Sequence, residues 1–191
     1  MSMQAWSYYK NRIDELLKEH DYDTVPHPEV LKTDVFNEVM NLPSVGGVTG
    51  TGCPVTFVYV DINRDYIDSF KRSYPGERVY LMDIRDLQFS PGRFDMVLDC
   101  STIDHIPFTD VEDVIYNYKK LLKLGGTLLL ITWTAPEIRI FPDPVQYYHP
   151  RRDLESILSE YFTIHDIDDD IIPPDNMGGL LVAYTLTKVN V

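Results

Sequence analysis

Apolar runs that end in an acidic residue alternate along this chain with segments whose apolar residues recur at helical spacing. VTFVYVD (Val55 to Asp61), RVYLMD (Arg78 to Asp83), FDMVLDCS (Phe94 to Ser101) and TLLLITW (Thr127 to Trp133) are rich in β-branched, aromatic and leucine side chains. Near-continuous runs of this kind predict strands buried on both faces, as in a parallel sheet. Tyr66, Ile67 and Phe70 predict a helix between the first two. Val111, Val114, Ile115, Tyr118, Leu121 and Leu122 form one apolar face of another, and Leu154, Ile157, Leu158 and Tyr161 of a third. Trp6, Tyr9, Ile13, Leu16 and Leu17 predict an amphipathic helix over residues 4–19. VLKTDVF (Val30 to Phe36) is a further short strand candidate. FTIHDI (Phe162 to Ile167) and LLVAYTLTK (Leu180 to Lys188) have no clear helix between them, which predicts an antiparallel pair at one edge. The alternation as a whole predicts an α/β fold: a doubly wound, mostly parallel sheet covered on both faces.

Punctuation residues sharpen the boundaries. Thr109 and Glu112 have the spacing of a capping box, Lys119, Lys120 and Lys123 suit the negative end of that helix, and Gly125 and Gly126 would stop it. A turn at Pro26 and Pro28 divides an N-terminal helical cap, residues 1–27, from an α/β core, residues 28–191. A chain of 191 residues accommodates both in one domain.

Charge then narrows the partners. Asp and Glu number 30 against 17 Lys and Arg, a net charge of −13 that repels nucleic acid and anionic lipid, both of which are bound through phosphate neutralisation. No run reaches the roughly 20 apolar residues of a membrane span, and the charged, amphipathic N-terminus does not have the form of a signal peptide. Cys53 and Cys100 match no metal-ligand spacing and read as reduced thiols of a cytoplasmic protein. Asp168, Asp169 and Asp170 read as solvated surface, with no spacing that suggests a metal site. Beyond the N-terminal helix and an insertion from Thr134 to Arg152, little chain is left for a substrate domain, so a compact small-molecule partner is expected.

In open α/β sheets ligands bind beyond the carboxyl ends of the strands, so the residues there carry the chemistry. Asp61 could accept two hydrogen bonds from a ribose diol, or it could cap the helix that follows. Asp83, followed by Ile84, could take an adenine amino group or be a solvated loop carboxylate. The third strand ends in Asp99, Cys100, Ser101, Thr102, Ile103, Asp104 and His105, small polar groups with a histidine that is either structural or reactive.

RFDMVLDCSTIDHIPFTDVEDVIYNYKKLLKLGGTLLLITW (Arg93 to Trp133) resembles the class I S-adenosylmethionine-dependent methyltransferases in its strand, polar loop with histidine, amphipathic helix, L-K-x-G-G turn and apolar strand. The resemblance extends over roughly residues 28–188. It implies a Rossmann-like methyltransferase fold of the seven-stranded type, S-adenosyl-L-methionine as cofactor, and a small-molecule acceptor. It further implies cofactor contacts from Asp61, Ile62, Asp83, Ile84, Asp99 and Ser101. The segment Tyr147 to Ile164 resembles the family's late helix and strand, whose preceding aromatics line the acceptor pocket. Trp133, Tyr147 and Tyr148 are therefore candidate substrate residues. Trp6 and Tyr9 join them if the N-terminal helix is a lid; the alternative for Trp6, Tyr8 and Tyr9 is a stripe facing the core.

The glycine-rich stretch SVGGVTGTG (Ser44 to Gly52) looks like the family's cofactor loop. However, only two residues separate Gly52 from the strand beginning at Val55. A parallel crossover needs about a dozen, so the G-T-G triplet cannot open the required helix. The first strand is expected upstream, in VLKTDVFNE (Val30 to Glu38). A subset of the family resembles this chain in carrying a K-T-D-x-F-x-E segment in place of the glycine loop and an S-T-x-D-H segment later. That likeness implies that Asp34 and Glu38 hold the methionine side of the cofactor; alternatively, KTDVFNE begins a helix capped by Thr33 or Asp34.

His105 is the candidate general base for an O–H or N–H acceptor, because its ordinary pKa lies near working pH. Asp104 either orients it or is an ordinary loop carboxylate. Two other readings stay open: a catalytically inactive cofactor-binding relative acting as a partner or regulatory subunit, and a nicotinamide-dependent oxidoreductase. The latter needs G-x-G-x-x-G after the first strand, which glycines 46, 47, 50 and 52 do not supply.

Overall fold

The computed structural model describes residues 8, 11–16, 28–33, 55–142, 145–169, 171 and 179–189. Trp6, Tyr9, Asp34, Glu38 and the glycine-rich stretch lie outside the described residues.

The chain runs β1 (Glu29–Lys32), β2 (Thr56–Asp61), α1 (Arg64–Ser73), β3 (Arg78–Leu81), β4 (Phe94–Cys100), α2 (Phe108–Leu121), β5 (Leu122–Ala135), β6 (Arg139–Pro142), β7 (Val145–Pro150), α3 (Arg151–Tyr161), β8 (Phe162–Asp168) and β9 (Leu180–Lys188). Short 3-10 turns at Ile84–Asp86 and Ile103–His105 follow β3 and β4. The main sheet has the order β3-β2-β1-β4-β5-β9-β8. Counted without the inserted hairpin β6–β7, this is 3-2-1-4-5-7-6, mostly parallel, with β9 antiparallel to both neighbours. It is a Rossmann-like methyltransferase fold.

β1, β2, β4, β5 and β9 bury alternate side chains in two different cores, which is why their apolar runs are continuous. By contrast β3, at the sheet edge, buries Val79 alone of its four residues and is not the doubly buried strand expected from RVYLMD. Val58, Val60, Leu128 and Leu130 pack on one face with Val114, Ile115 and Tyr118 of α2 and Leu154 and Leu158 of α3. Phe57, Tyr59, Leu129 and Ile131 pack on the other with Ile67 and Phe70 of α1 and with Ile13 and Leu16. Residues 11–16 are helical, and Arg12 ties them to the sheet through Asp166 of β8 and Thr185 of β9.

β1 lies in the sheet centre, parallel to β2 and β4, and precedes the glycine-rich stretch. The first strand thus lies upstream of the glycine-rich stretch, as the crossover length requires, and it ends at Lys32. Other local expectations need correction. The capping box does not form, because α2 starts earlier, after Pro107, which places Thr109 inside the first turn. Thr109 bonds Asp110, and Glu112 accepts from Tyr161 of α3. The helix ends at Leu121, and Gly125 and Gly126 belong to β5 rather than to a helix stop.

The segment between Thr134 and Arg152, expected only as an insertion, contains the hairpin β6–β7. IRIFPDPVQYYHP does carry the signal, two short runs around a proline-rich turn. Its position comes from strand geometry. Thr134 pairs with Leu180 of β9 on one edge and with His149 of β7 on the other. That second edge belongs to β4 up to Cys100, opposite Ile131. The hairpin thus continues the sheet where β4 stops, directly over the strand's carboxyl end.

Gly126 approaches the sheet backbone closely: an added Cβ would meet the Asp95 and Lys123 carbonyl oxygens at 3.0 Å. Gly126→Ala is expected to cost about 1–3 kcal/mol, as overpacking does. Urea denaturation measures this, and an unchanged midpoint would contradict the close approach.

Candidate active site at the strand carboxyl ends

The turn after β4 is built around a buried carboxylate. Asp99 has no exposed surface. Its Oδ1 accepts from the amides of Thr102 (2.9 Å) and Ile103 (3.2 Å), and its Oδ2 from the Tyr118 hydroxyl of α2 (2.6 Å). Burial raises its pKa, while the Tyr118 and amide hydrogen bonds act in the opposite direction. Ser101 adopts φ = 63°, a left-handed conformation uncommon for a residue with a Cβ. It turns the chain sharply, so Thr102, Asp104 and His105 return across the strand ends. Thr33, immediately after β1, donates its amide to the Leu98 carbonyl (3.1 Å), and its hydroxyl lies 3.0 Å from that of Thr102. The K-T-D and S-T-x-D-H segments, far apart in sequence, meet at these two threonines.

At the end of β2, Asp61 accepts from the Asn63 amide (2.7 Å). The helix cap is Asn63, whose side chain accepts from the amides of Asp65 and Tyr66. This resolves the choice left by the sequence insofar as Asp61 is not the cap. Ile62 beside it is 67% exposed, and Leu81, the register partner of Asp61, is 41% exposed. Asp83 differs. Both its carboxylate oxygens bond the Arg85 guanidinium, and Oδ1 also accepts the Arg85 amide, capping the 3-10 turn. Arg85 holds the Asp83 carboxyl below its ordinary pKa. Ile84 is buried beneath the turn.

The 3-10 turn after β4 carries the remaining polar groups. Asp104 is fully buried; its Oδ1 accepts from the Thr132 hydroxyl and from the Trp133 amide (3.0 Å), both on β5. Its Oδ2 has no hydrogen-bond partner among the described residues. Burial pushes its pKa up to about 7; the Thr132 and Trp133 hydrogen bonds and the nearby Ser101 side chain oppose that rise, and the Asp99 charge adds to it. His105, next in sequence, is exposed, and its Nδ1 lies 2.7 Å from the Val145 carbonyl of β7. A carbonyl only accepts, so Nδ1 carries the proton and Nε2 the lone pair. Asp104 therefore does not hydrogen-bond His105; it fastens the turn to β5.

β7 answers with a second histidine that the sequence reading missed. His149 is buried, and its Nε2 donates to the Ile103 carbonyl (3.1 Å). Burial lowers its pKa, so the ring is neutral. Its ring packs beside Phe108 and lies parallel to Tyr147. On the other side of the hairpin, Trp133 stacks on Tyr148 with centroids 5.1 Å apart and planes 8° from parallel, and Phe141 packs against Tyr148. Of the expected substrate aromatics, Trp133 of β5 and Tyr148 of β7 meet as a stacked pair, whereas Tyr147, the preceding residue of β7, lies on the opposite face beside His149. Tyr8, half-buried, packs in the core on the α1 face of the sheet.

The fold is that of Rossmann-like methyltransferases. Residues 47–130 match the model of a family described as "Methyltransferase domain", beginning at Gly47, downstream of β1, and running through most of β5. The structure is similar to 1,6-didemethyltoxoflavin-N1-methyltransferase from Burkholderia thailandensis, whose crystals contain 1,6-didemethyltoxoflavin and S-adenosylhomocysteine. That likeness has a TM-score of 0.67 at 15% identity and covers 95% of this chain and 79% of that one. Geranyl diphosphate C-methyltransferase from Streptomyces coelicolor A3(2) gives 0.69 at 13%, covering 94% and 76%. An S-adenosylmethionine-dependent methyltransferase from Methanosarcina mazei gives 0.66 at 12%, covering 86% and 94%. At these identities the likeness carries the fold. No curated protein matches the sequence. Among the described residues, no helix is long and apolar enough to cross a membrane.

Because the folded pKa of Asp104 lies above its unfolded value, the neutral acid is favoured in the fold. Its burial costs nothing below about pH 4 and progressively more as pH rises to about 7. Asp104→Asn keeps an acceptor for Thr132 and Trp133 without the charge. The variant is expected to gain stability relative to the parent between pH 5 and pH 8, by a few kcal/mol at most. Urea denaturation at both pH values reads the difference, and an equal gap at both would remove the buried charge from the account.

Proposed function

We propose that this protein is an S-adenosylmethionine-dependent methyltransferase acting on a compact small-molecule acceptor. The observation that carries this reading is the convergence at the carboxyl ends of β1, β2 and β4, on this fold, of Thr33, Asp61 and the turn from Ser101 to His105. The match of residues 47–130 to a methyltransferase domain supports it, as do the small molecules named for the toxoflavin and geranyl diphosphate enzymes of the same fold.

The residues present fit the cofactor. Asp61 offers a carboxylate at the end of β2 where a ribose diol would donate two hydrogen bonds, and the exposed Ile62 and Leu81 beside it offer an apolar surface for the adenine ring. An adenine amino contact at Asp83 would require Arg85 to turn away, since both oxygens are occupied. Asp99 acts through the turn it holds, because all three of its hydrogen bonds are internal. Ser101 contributes its backbone geometry there. Asp34 and Glu38 are assigned to the methionine side, on the likeness of the K-T-D-x-F-x-E segment.

When bound, S-adenosylmethionine supplies an electrophilic methyl group, which the acceptor atom takes with its electron pair as the carbon–sulfur bond breaks. His105 receives the acceptor's proton on Nε2, the nitrogen left basic by the Val145 bond. The stacked Trp133 and Tyr148 are assigned to the acceptor side, with Tyr147 on the other face of β7 beside His149. The lid role of Trp6 and Tyr9 stays part of this reading.

Calorimetry with S-adenosylmethionine tests the assignment. Asp61→Ala is expected to weaken binding about 100-fold or more, two charge-assisted hydrogen bonds contributing about 1.5–3 kcal/mol each. Unchanged affinity in that variant would overturn the cofactor register. His105→Ala is expected to bind the cofactor normally while turnover with an acceptor drops about 10²-fold or more. Tight binding by the parent without turnover across a broad acceptor panel would favour a non-catalytic subunit instead.

A further inference from the structure

The two histidines bind in opposite directions across one junction. His105, on the 3-10 turn, donates to the Val145 carbonyl at the start of β7 (2.7 Å). His149, near the end of β7, donates to the Ile103 carbonyl on the same turn (3.1 Å). Together they clasp β7 along the turn at both ends. Among the described residues, the hairpin's pairing with the main sheet is two residue pairs long, Thr134 with His149 and Ala135 with Pro150. The junction therefore relies on His149, which takes part in both the pairing and the clasp.

We propose that His149 is a positioning residue: by holding β7 against the Ile103–His105 turn, it keeps the Val145 carbonyl on Nδ1 of His105 and so fixes the tautomer that leaves Nε2 basic. This rests on the reading of His105 as the general base, but its physical content is independent of methyl transfer. A free imidazole exchanges between its two tautomers, and an exposed ring gains a fixed one only from a fixed partner. The partner here is a main-chain carbonyl, which no substitution at position 145 removes, so its position is set by what anchors the strand. The anchor is suited to that task. Its ring is fully buried beside Phe108 and parallel to Tyr147, with centroids 5.7 and 6.4 Å away. Its Nδ1 has no hydrogen-bond partner among the described residues. A phenylalanine would fill the same space with less polar cost, so the feature of histidine that the site uses is the Nε2–H donated to Ile103.

The test is nitrogen NMR of the imidazoles in the full chain, which reads the tautomer of His105 without an acceptor. The parent protein is expected to show the neutral His105 ring protonated on Nδ1. His149→Phe keeps the packing and deletes the donor; His105 is then expected to become a mixture of tautomers. His149→Gln restores an N–H near the Nε2 position and is expected to bring the single tautomer back. Calorimetry with S-adenosylmethionine runs in parallel, with affinity expected to change less than about threefold in either variant, since neither touches the cofactor residues. An Nε2-protonated His105 in the parent, a single Nδ1-protonated form in a folded His149→Phe, or failure of that variant to fold would each overturn the proposal. Absence of cofactor binding in the parent, with the tautomer shift intact, would instead reject the methyltransferase reading and leave the clasp standing.

Discussion

The buried carboxylate of Asp99 is the interaction on which this site depends. An aspartate without exposed surface is tolerated only when its lone pairs are satisfied, and here the three donors are the Tyr118 hydroxyl and the amides of Thr102 and Ile103. Meeting that requirement forces the chain to fold back immediately after β4. The left-handed Ser101 makes the reversal possible, and its conformational cost is offset by the bonds the reversal creates. Helix α2 then begins where Tyr118 can reach the strand end. The helix, the turn and the strand are thus locked by one side chain, and Thr33 of the neighbouring strand is stitched to the same turn.

The two ends of the sheet are chemically different. At the amino ends, charges are matched by partners: Glu29 by Arg78 and Arg93, and Asp95 by Lys123. These pairs are partly exposed, and their contribution is modest. At the carboxyl ends of β4 and β5, Asp99 and Asp104 are buried and are satisfied by neutral donors, with one Asp104 oxygen unpartnered among the described residues. Stability alone would favour apolar residues there. That these polar groups are held at a cost beside the exposed His105 supports the binding and proton-transfer roles proposed for this end of the sheet. The hairpin adds the outer wall by extending β5 past the point where β4 stops.

Much of the frame was legible in the chain. β2, β4 and β5 were readable because burial on both faces writes an unbroken apolar run, and α2 because its buried face repeats every three or four residues. The upstream first strand was readable from chain length alone, since two residues cannot make a parallel crossover. The boundaries were less legible. Pro107 started α2 early and made the Thr109–Glu112 signal irrelevant, while Gly125 and Gly126, which looked like a helix stop, fell inside a strand. Strand pairing with β4 decided the second case, and such pairing is non-local.

For the site, the sequence by itself determined which residues stand at strand ends: Asp61, Asp83, and the cluster from Asp99 to His105. It determined them because strand ends follow from local hydrophobic patterning, and patterning is a property of neighbours along the chain. What each carboxylate does was decided only by tertiary structure. Asp61 was relieved of the capping role by Asn63, Asp83 was taken by Arg85, Asp99 was turned inward to Tyr118, and Asp104 was tied to β5 rather than to His105. His149 became visible only when the hairpin brought it to Ile103, 46 residues away. A hydrogen bond depends on distances between elements that the fold assembles, and no local pattern encodes those distances.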